Sequence, residues 1–423
     1  MSKVIQRHWP GSGNGLTRSD RLGCDYEAYV PDLLCGRTYV LDGQVAAAVA
    51  EAETAILRLN VTSTTLTNTE ALARILLRAE AVASSRIEGL ELAPRRLLQA
   101  EVARDAQEEL QDVTAAEVLS NIDAMSYAIA LANPAEPITL DTILTMNKLL
   151  LSQTHLSARG GVIRDSQNWI GGNGYHPCSA KFVPPPEDLV LSLMEDLVAF
   201  CNDDGLPPVV QAAIAHAQFE TIHPFVDGNG RTGRALIHVI LKRRGLAERV
   251  LTPVSLILAT WAKAYIEGLT GFRYQGDAES EDARRGLNEW ISQFATACTR
   301  ACIDAEIYEN RVQEIQTAWR VKLGKVRKNS STDRLIAELP GAPVVTIPGV
   351  AKLMNRSFPA VSAAVEVLVG AGILKQVSVG KRNRAYEAAE IIEAFTGLER
   401  QLGSPEGDTR FSRPTRRVPN KQR

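Results

Sequence analysis

The sequence lacks the features of a membrane-spanning, secreted or bulk nucleic-acid-binding protein. No run of about 18 or more apolar residues occurs in the 423 residues, so we expect no membrane-spanning helix. The start of the chain has no long apolar stretch, and no secretory signal is predicted. Lys and Arg number 47 against 49 Asp and Glu, a net charge of -2, which excludes a protein that coats nucleic acid through bulk charge.

Cysteine is scarce, with six residues scattered along the chain. This usage favours free thiols in a reducing cytoplasm over a disulfide scaffold, so we predict a cytoplasmic protein. Cys298 and Cys302 lie four residues apart with no second pair nearby, which indicates one face of a helix rather than a zinc site. Composition therefore predicts an ordinary multidomain globular protein and gives no chemistry.

Helical patterns dominate, so the predicted fold is mostly α. Apolar periodicity predicts helices at residues 41–59, 70–87, 104–131, 140–151, 187–202, 208–222, 231–244, 259–268 and 283–319. The first forty residues carry Gly and Pro and are predicted to be mostly irregular. Two short β-like runs, 162–163 and 181–183, flank a tip rich in Gly, Asn and Pro, which indicates a small β-hairpin flap.

The C-terminal part has a different composition. Segment 321–332 is basic and polar, as expected of a linker, and 333–400 has the three helices and hairpin of a winged-helix-like α+β module. Its presumed recognition helix at 357–369 has no Lys or Arg, so we favour protein interaction or dimer formation over DNA binding. Basic residues on or near the wing keep DNA binding as the alternative: Arg356, Lys375, Lys381, Arg382 and Arg384. Segment 401–423 is predicted to be a disordered basic tail.

Residues 223–234, HPFVDGNGRTGR, gather the groups of a phosphate site into one short segment. One helix is predicted to end near residue 222 and another to begin near 231. Between them, Gly228 and Gly230 allow backbone N–H groups to converge on an anion, and the positive end of the second helix points at the same place. Arg231 and Arg234 are neighbours on the first turn of that helix, and arginine suits bidentate phosphate contact.

Two further side chains of this segment supply the chemistry. His223 at the mouth of the loop can accept a proton from an incoming hydroxyl near neutral pH. Asp227 can hold Mg²⁺ through one carboxylate beside phosphates. Arg164 on the flap is a candidate addition to the basic groups. The set predicts phosphate-transfer chemistry that acts by positioning and charge stabilisation.

This segment resembles the signature of the Fic-domain family, HPFx[D/E]GNGRxxR, and matches it at every specified position. The resemblance covers residues 1–395, including the IGGNG and FVPPPEDL parts of the flap and the later AYIEGL stretch. It implies an all-α Fic fold with a small β-hairpin flap, whose signature lies on a helix–loop–helix. The implied division is an N-terminal helical region at 1–110 and a Fic catalytic core at 111–320.

The resemblance also implies an activity: a protein adenylyltransferase that transfers AMP from ATP to a Tyr, Thr or Ser hydroxyl of a target protein and releases pyrophosphate. His223 would be the general base, and Asp227 would hold the Mg²⁺ that bridges the α- and β-phosphates. The implied ATP contacts are Gly228, Asn229, Gly230, Arg231 and Arg234, the last at the γ-phosphate. The Doc-type branch, which transfers phosphate, has Lys at the position of Gly230, so this chain resembles the nucleotidyl-transferring branch.

Residues 84–89, SSRIEG, resemble the family's inhibitory motif [S/T]xxxE[G/N]. Ser84 and Glu88 are four residues apart and are predicted to share a helix face. The resemblance implies that Glu88 borders the ATP site and pairs with Arg234, so that ATP binds in a non-productive pose. The position of the motif ahead of the Fic core resembles the family's second class.

Several alternatives stay open. Trp261 and Tyr265 are candidates to border the adenine, with core packing as the other interpretation. The chain could instead remove AMP from proteins, with Glu88 orienting a water. It could also be a winged-helix transcriptional regulator whose Fic site only senses nucleotide. The sequence names no target protein, leaves a homodimer open and does not indicate what relieves inhibition.

Overall fold

The computed structural model describes residues 1–11, 17–62, 69–379 and 383–402, and the chain forms two compact units. Helices predominate. Within the described residues they are, in chain order, α1 Arg18–Arg21, α2 Gly43–Thr62, α3 Thr69–Ile87, α4 Pro94–Asp105, α5 Val113–Leu131, α6 Leu140–Leu151, α7 Glu187–Cys201, α8 Pro208–Ile222, α9 Asn229–Arg243, α10 Val254–Thr260, α11 Ala262–Phe272, α12 Glu281–Leu323, α13 Ser331–Glu338, α14 Ile347–Met354, α15 Phe358–Gly370 and α16 Ala389–Leu402. None of the helices searched in these residues is both long and apolar enough to cross a membrane.

Two small antiparallel sheets accompany the helices in the described residues. Their strands are β1 Lys3–Trp9, β2 Cys24–Val30, β3 Val344–Val345, β4 Lys375–Val379 and β5 Asn383–Glu387. In the first sheet, called here the N-terminal ribbon, β1 pairs with β2 so that Lys3 lies opposite Val30 and Trp9 opposite Cys24. The second sheet has the order β3-β5-β4.

The first unit comprises Met1–Glu53, Ala124–Leu246 and Lys263–Thr296, and its centre is α8. Every residue of this helix after Pro208 is buried, as expected of a helix with no polar face. Helices α7 and α9 pack against it. Proline at the first helical position starts α8 at no cost in hydrogen bonds, and Pro224 disfavours helical backbone at the residue before it. The α8–loop–α9 segment therefore has defined ends, and it carries the predicted site.

The second unit comprises Thr54–Asp123, Ala247–Ala262 and Ala297–Arg423. Helices α3 and α10 pack together, and the buried Glu80 of α3 accepts hydrogen bonds from the backbone N–H and the hydroxyl of Ser255. Cys298 and Cys302 are both buried along α12, as the prediction of one helix face requires.

The C-terminal helices and sheet belong to this second unit. Helices α13, α14 and α15 pack on one another, and the β3-β5-β4 sheet follows. Helix α4 joins them in one apolar cluster made of Leu98, Val102, Val344, Ala385 and Ile392. The winged-helix assignment and the division into 1–110, 111–320, 321–332 and 333–400 stay predictions. Lys381, Arg382 and residues 403–423 of the predicted tail lie outside the described residues.

Three expectations from the sequence are wrong. The first forty residues are not mostly irregular, since they contain the N-terminal ribbon, whose two strands pair along seven residues each. The helix predicted at 104–131 is broken between α4 and α5, where Gln107 takes a left-handed φ of 58° that no helix can continue through. The cysteines are not all free, because Cys24 and Cys178 are joined as a disulfide.

Candidate active site

His223 lies at the point where α8 ends, in a left-handed backbone conformation with φ 51° and ψ 61°. Its backbone N–H still donates to the Phe219 carbonyl at 2.9 Å, so the residue closes the last turn of the helix. Its imidazole Nδ1 lies 3.9 Å from Oε2 of Glu220, a side chain that is only 10% exposed. A carboxylate beside one ring nitrogen favours a proton on that nitrogen and leaves the other as the base.

The unusual backbone at His223 is held from outside by the flap segment, defined here as residues 164–183. The guanidinium of Arg164 donates to the carbonyls of His223 at 2.9 Å, Ile222 at 3.4 Å and Pro185 at 2.5 Å. The Asn168 amide donates to the same His223 carbonyl at 3.1 Å. Burial lowers the pKa of Arg164 to about 10, which still leaves it charged at neutral pH. Arg164 therefore fastens the loop, and the expectation that it adds to the phosphate-binding groups is wrong.

The loop itself is closed by an asparagine. The buried Asn229 side chain accepts from the Phe225 backbone N–H at 2.8 Å and donates to the Phe225 carbonyl at 2.9 Å. Gly228 caps α9 with φ 77°, and a Cβ there would lie 2.7 Å from Leu150 Cδ2. Only glycine fits this position without strain. The Asn229 side chain is thus used to shape the loop, while its backbone N–H lies in the first turn of α9.

The charged groups of the signature surround the start of α9. Arg231 and Arg234 are almost completely buried, at 3% and 1% exposure. The Asp227 side chain is 48% exposed, its Oδ1 accepts from the Gly228 N–H at 2.7 Å and its Oδ2 lies 3.9 Å from Arg231 Nη2. One half-exposed carboxylate beside a phosphate-binding loop suits Mg²⁺, which keeps several waters and takes other oxygens from phosphates. Asp227 is therefore the residue that could hold the ion.

Gly233 allows α9 to approach α8 closely behind the loop. A Cβ at this position would lie 2.8 Å from Phe219 Cδ1 and 3.0 Å from Glu220 Oε1. Next to it, the buried His216 is hydrogen-bonded through Nε2 to the Tyr265 hydroxyl at 2.8 Å, and the two rings stack with centroids 5.9 Å apart. Burial, followed by the positive charge of Arg234, lowers the pKa of His216 to about 3, so this ring is neutral.

The residues predicted for adenine occupy different environments. Tyr265 is buried in the first unit and contacts His216 and Trp290. Trp261 is partly exposed and belongs to the second unit. Neither position tests the adenine assignment, which stays a prediction.

The flap is much less strand-like than predicted. Residues 162–163 form no strand, and the pairing reduces to a single bridge in which Ile170 and Phe182 exchange backbone hydrogen bonds of 2.8 and 3.2 Å. The Arg273 guanidinium lies over the Phe182 ring, 3.5 Å from its centroid. Prolines and glycines on both sides of the bridge limit it, because proline lacks the N–H that a longer ladder needs.

The predicted inhibitory segment lies at the end of α3 in the second unit. The N–H of Leu90 donates to the Ser85 carbonyl and that of Gly89, with φ 85°, to the Arg86 carbonyl, the pattern of a Schellman cap. Glu88 follows the last helical residue and is exposed, whereas Ser84 is fully buried. The two residues therefore differ in exposure although they are one turn apart.

This arrangement of a capping histidine, a glycine-capped helix and two buried arginines agrees with known families. The Fic/DOC family matches residues 137–241, and the Fic/DOC family N-terminal region matches residues 46–130. Residues 137–241 therefore form a Fic/DOC domain. The matched part contains α6, α7, α8, the flap segment and α9 up to residue 241, and thus all of residues 223–234.

Proteins similar to this chain include named enzymes. "Protein adenylyltransferase fic-1" of Caenorhabditis briggsae is 32% identical over 163 residues, which are 38% of this chain and 30% of that protein. "Protein adenylyltransferase Fic" of Nematostella vectensis is 31% identical over 193 residues, 45% of this chain and 39% of that protein. The chain thus matches 30–39% of the length of these two curated relatives.

A solved structure supports the fold. A Fic family protein from Desulfovibrio desulfuricans superposes with a TM-score of 0.51 at 21% identity, covering 83% of this chain and 97% of that one. The predicted Fic fold is therefore confirmed. At this identity the likeness concerns the fold alone.

Sequence reasoning missed three residues of the candidate site and the role of a fourth, Arg164. Asn147 of α6 donates to the Asp227 carbonyl at 3.0 Å, and it lies some eighty positions earlier in the chain, so no local pattern could reveal it. Glu220 had a weak signal, because it precedes His223 by one helical turn. Asn168 and the clamping role of Arg164 depend on the fold of the flap segment.

Proposed function

We propose that the chain is an autoinhibited protein adenylyltransferase, which transfers AMP from ATP to a hydroxyl of a target protein. The observation that carries the proposal is the placement of His223 at the end of α8, held in left-handed backbone beside the N-terminus of α9 with Arg231 and Arg234. The names of the relatives, protein adenylyltransferases, support the same reaction class.

In the proposed reaction, the unprotonated nitrogen of His223 accepts the proton of a Tyr, Thr or Ser hydroxyl. The hydroxyl oxygen forms a bond to the α-phosphorus of ATP, and the bond from that phosphorus to the bridging oxygen breaks. The products are an AMP-modified protein and pyrophosphate, and the proton stays on His223 until it passes to solvent. Glu220 stabilises the charged imidazole, since its carboxylate lies 3.9 Å from Nδ1.

The positive groups act on the phosphates. Backbone N–H groups of Asn229 and Gly230 in the first turn of α9 bind the anionic oxygens, and the Gly228 N–H joins them when a phosphate oxygen replaces Asp227 Oδ1 as its acceptor. Arg231 and Arg234 hold the triphosphate chain. Their burial makes each contact stronger than it would be in water. Asp227 would hold Mg²⁺, which, when bound, neutralises charge on the phosphates.

We extend the proposal to inhibition by Glu88. Its support is the resemblance of residues 84–89 to the family's inhibitory motif and the exposed position of this carboxylate at the end of α3. The same resemblance leads us to propose Arg234 of the nucleotide site as the partner of Glu88. A positive partner would also offset the unfavourable interaction of a carboxylate with the C-terminal end of the helix dipole.

The test is label transfer from ATP carrying radioactive phosphorus at the α-position, with host lysate as the source of targets. We expect weak labelling by the wild type, strong labelling by Glu88→Gly and none by Glu88→Gly combined with His223→Ala. Glu91→Gly is the matched control, because Glu91 is an exposed glutamate three residues further on.

Three outcomes would contradict the proposal. Equal labelling by the wild type and Glu88→Gly would show that Glu88 does not inhibit the transfer. Labelling that persists in Glu88→Gly combined with His223→Ala would show that His223 is not the general base. Release of AMP from pre-labelled protein by the wild type, lost in Glu88→Gly, would replace transfer by removal of AMP.

A further inference from the structure

The N-terminal ribbon lies against the flap segment within the first unit. The backbone N–H of Tyr29 in β2 donates to the Val183 carbonyl at 3.0 Å. Trp9 and Trp169 meet edge to face with ring centroids 5.4 Å apart, and Tyr29 lies 6.1 Å from the Phe182 ring. The flap segment is therefore braced by residues that lie before position 46, where the matched family segments begin.

The same two elements are joined covalently. Cys24, the first residue of β2, is bonded to Cys178 in the short 3₁₀ turn Pro177–Ser179 of the flap segment. Their Cα atoms are 6.0 Å apart, within the range that a disulfide spans without backbone movement. Cys178 is exposed, so small thiols and disulfides can reach its sulfur.

The other cysteines are poorly suited to such exchange. Cys201, Cys298 and Cys302 are buried, and burial raises the pKa of each thiol, to about 12 for Cys201 and Cys302. Cys35 is exposed, but desolvation and the nearby Asp196 raise its pKa to about 11. Beside the bridge, a ring nitrogen of His176 and the sulfurs of Cys24 and Cys178 all lie within 4.8 Å of one another. An imidazole at this distance can take up a thiol proton and so supply the reactive thiolate.

We propose that Cys24 and Cys178 form a reversible thiol–disulfide exchange site that fastens the flap segment to the N-terminal ribbon when oxidised. Its co-reactant is a low-molecular-weight disulfide of the glutathione type. One cysteine thiolate attacks that disulfide, its S–S bond breaks and one small thiol leaves. The second cysteine thiolate then attacks the mixed disulfide and releases the second small thiol. The cysteine pair is oxidised, the small disulfide is reduced, and the two cysteine protons end on the two released thiols.

The disulfide also affects how a target protein binds beside His223, and this part of the inference rests on the proposed function. Asn168 and Arg164 of the flap segment contact the His223 carbonyl, so the segment that is fastened borders the base. An extended target peptide can pair with a flap edge only if that edge holds its shape. Oxidation would thus order the surface on which a protein hydroxyl approaches His223.

The first experiment uses the full chain and needs no activity. The protein is equilibrated with mixtures of reduced and oxidised glutathione, trapped by alkylation and digested. We expect a peptide linking Cys24 to Cys178 whose amount rises reversibly with the share of oxidised glutathione. Amide hydrogen exchange in residues 165–183 should be about tenfold slower in the oxidised protein. Cys24→Ser should exchange fast in every mixture, and Cys35→Ser, the matched control, should behave as the wild type.

Several results would overturn the proposal. One is the absence of the linked peptide at every glutathione ratio, and another is a link that no native condition reduces. A third is unchanged exchange in the flap segment. A fourth is a reduced protein that binds one Zn²⁺ and thereby protects Cys24 and Cys178 from alkylation, which would make the cluster with His176 a metal site.

Label transfer in desalted host lysate tests the docking consequence. In the Glu88→Gly background, labelling should be severalfold higher for the oxidised than the reduced enzyme, and Cys24→Ser should abolish the difference. Equal labelling would overturn the link to docking. No labelling in any state would instead refute the proposed transferase function, and the linked peptide and flap exchange would still decide the thiol site.

Discussion

Replacing Arg164 by lysine tests whether a buried arginine holds the loop that carries His223. The change keeps the positive charge, but it replaces a planar group with five N–H donors by a single ammonium. The guanidinium contacts the carbonyls of Ser166, Pro185, Ile222 and His223. One ammonium cannot reach all four of these, because they lie on three different stretches of the chain.

The magnitude follows from the bonds that are lost. If lysine keeps two of the four contacts, two hydrogen bonds to a charged group disappear, each contributing about 1.5–3 kcal/mol. We therefore expect Arg164→Lys to lower the free energy of unfolding by about 3 kcal/mol or more. A shift of about 1 Å at His223 would also slow AMP transfer about 100-fold.

Urea unfolding followed by circular dichroism measures the first effect, and label transfer in the Glu88→Gly background measures the second at a urea-free condition where the variant is folded. Arg159→Lys is the matched control, since Arg159 lies in the same part of the chain and pairs with the exposed Asp165. Unfolding and transfer that are the same for Arg164→Lys as for Arg159→Lys would refute the clamp.

Three further predictions concern the packing around the loop. Gly233→Ala should destabilise the protein by about 1–3 kcal/mol in thermal unfolding, because the added Cβ would lie 2.8 Å from Phe219 Cδ1. The control is Gly271→Ala, which should be neutral or stabilising because the space around its Cβ position is open. Asn229→Ala should lower the free energy of unfolding by about 2 kcal/mol or more in urea, because the backbone N–H and carbonyl of Phe225 both lose their partner. A smaller decrease would mean that water replaces the amide. The pKa of His216 is about 3 in the folded protein, below its ordinary value near 6.5. The neutral ring therefore contributes to the free energy of unfolding above pH 6.5, and this contribution is lost as the pH falls towards 3. From pH 7 to pH 5 this loss is about 2 kcal/mol, and unfolding of His216→Gln should lack that part of the pH dependence.

The sequence predicted most helices, and two physical signals explain why. Apolar periodicity and proline positions are local, and they gave residues 140–151 and 208–222 the bounds that α6 and α8 have in the structure. The N-terminal ribbon was missed because its strands, KVIQRHW and CDYEAYV, lack a strict alternation of apolar and polar residues, and the Gly and Pro between them are typical of irregular segments.

The sequence predicted the reactive groups of the candidate site but not the residues that hold its loop in place. His223, Asp227 and the two arginines stand in one short segment, so a motif reveals them. The contacts of Asn147 and Arg164 join positions about 60 to 80 residues apart, and only the packed chain brings them together. The pairing of Cys24 with Cys178 across 154 residues is of the same kind, which is why cysteine counting misjudged it.

The left-handed backbone of His223 has a consequence for how such a chain changes over time. A residue with a Cβ in this conformation costs the fold about 1–2 kcal/mol that glycine would not. Folding alone therefore favours replacement of the proposed base, and a descendant with glycine here would be the more stable protein. Under the proposed function, a histidine at this place is maintained only while its chemistry is under selection, and its loss should be among the first changes in a lineage that has lost the reaction.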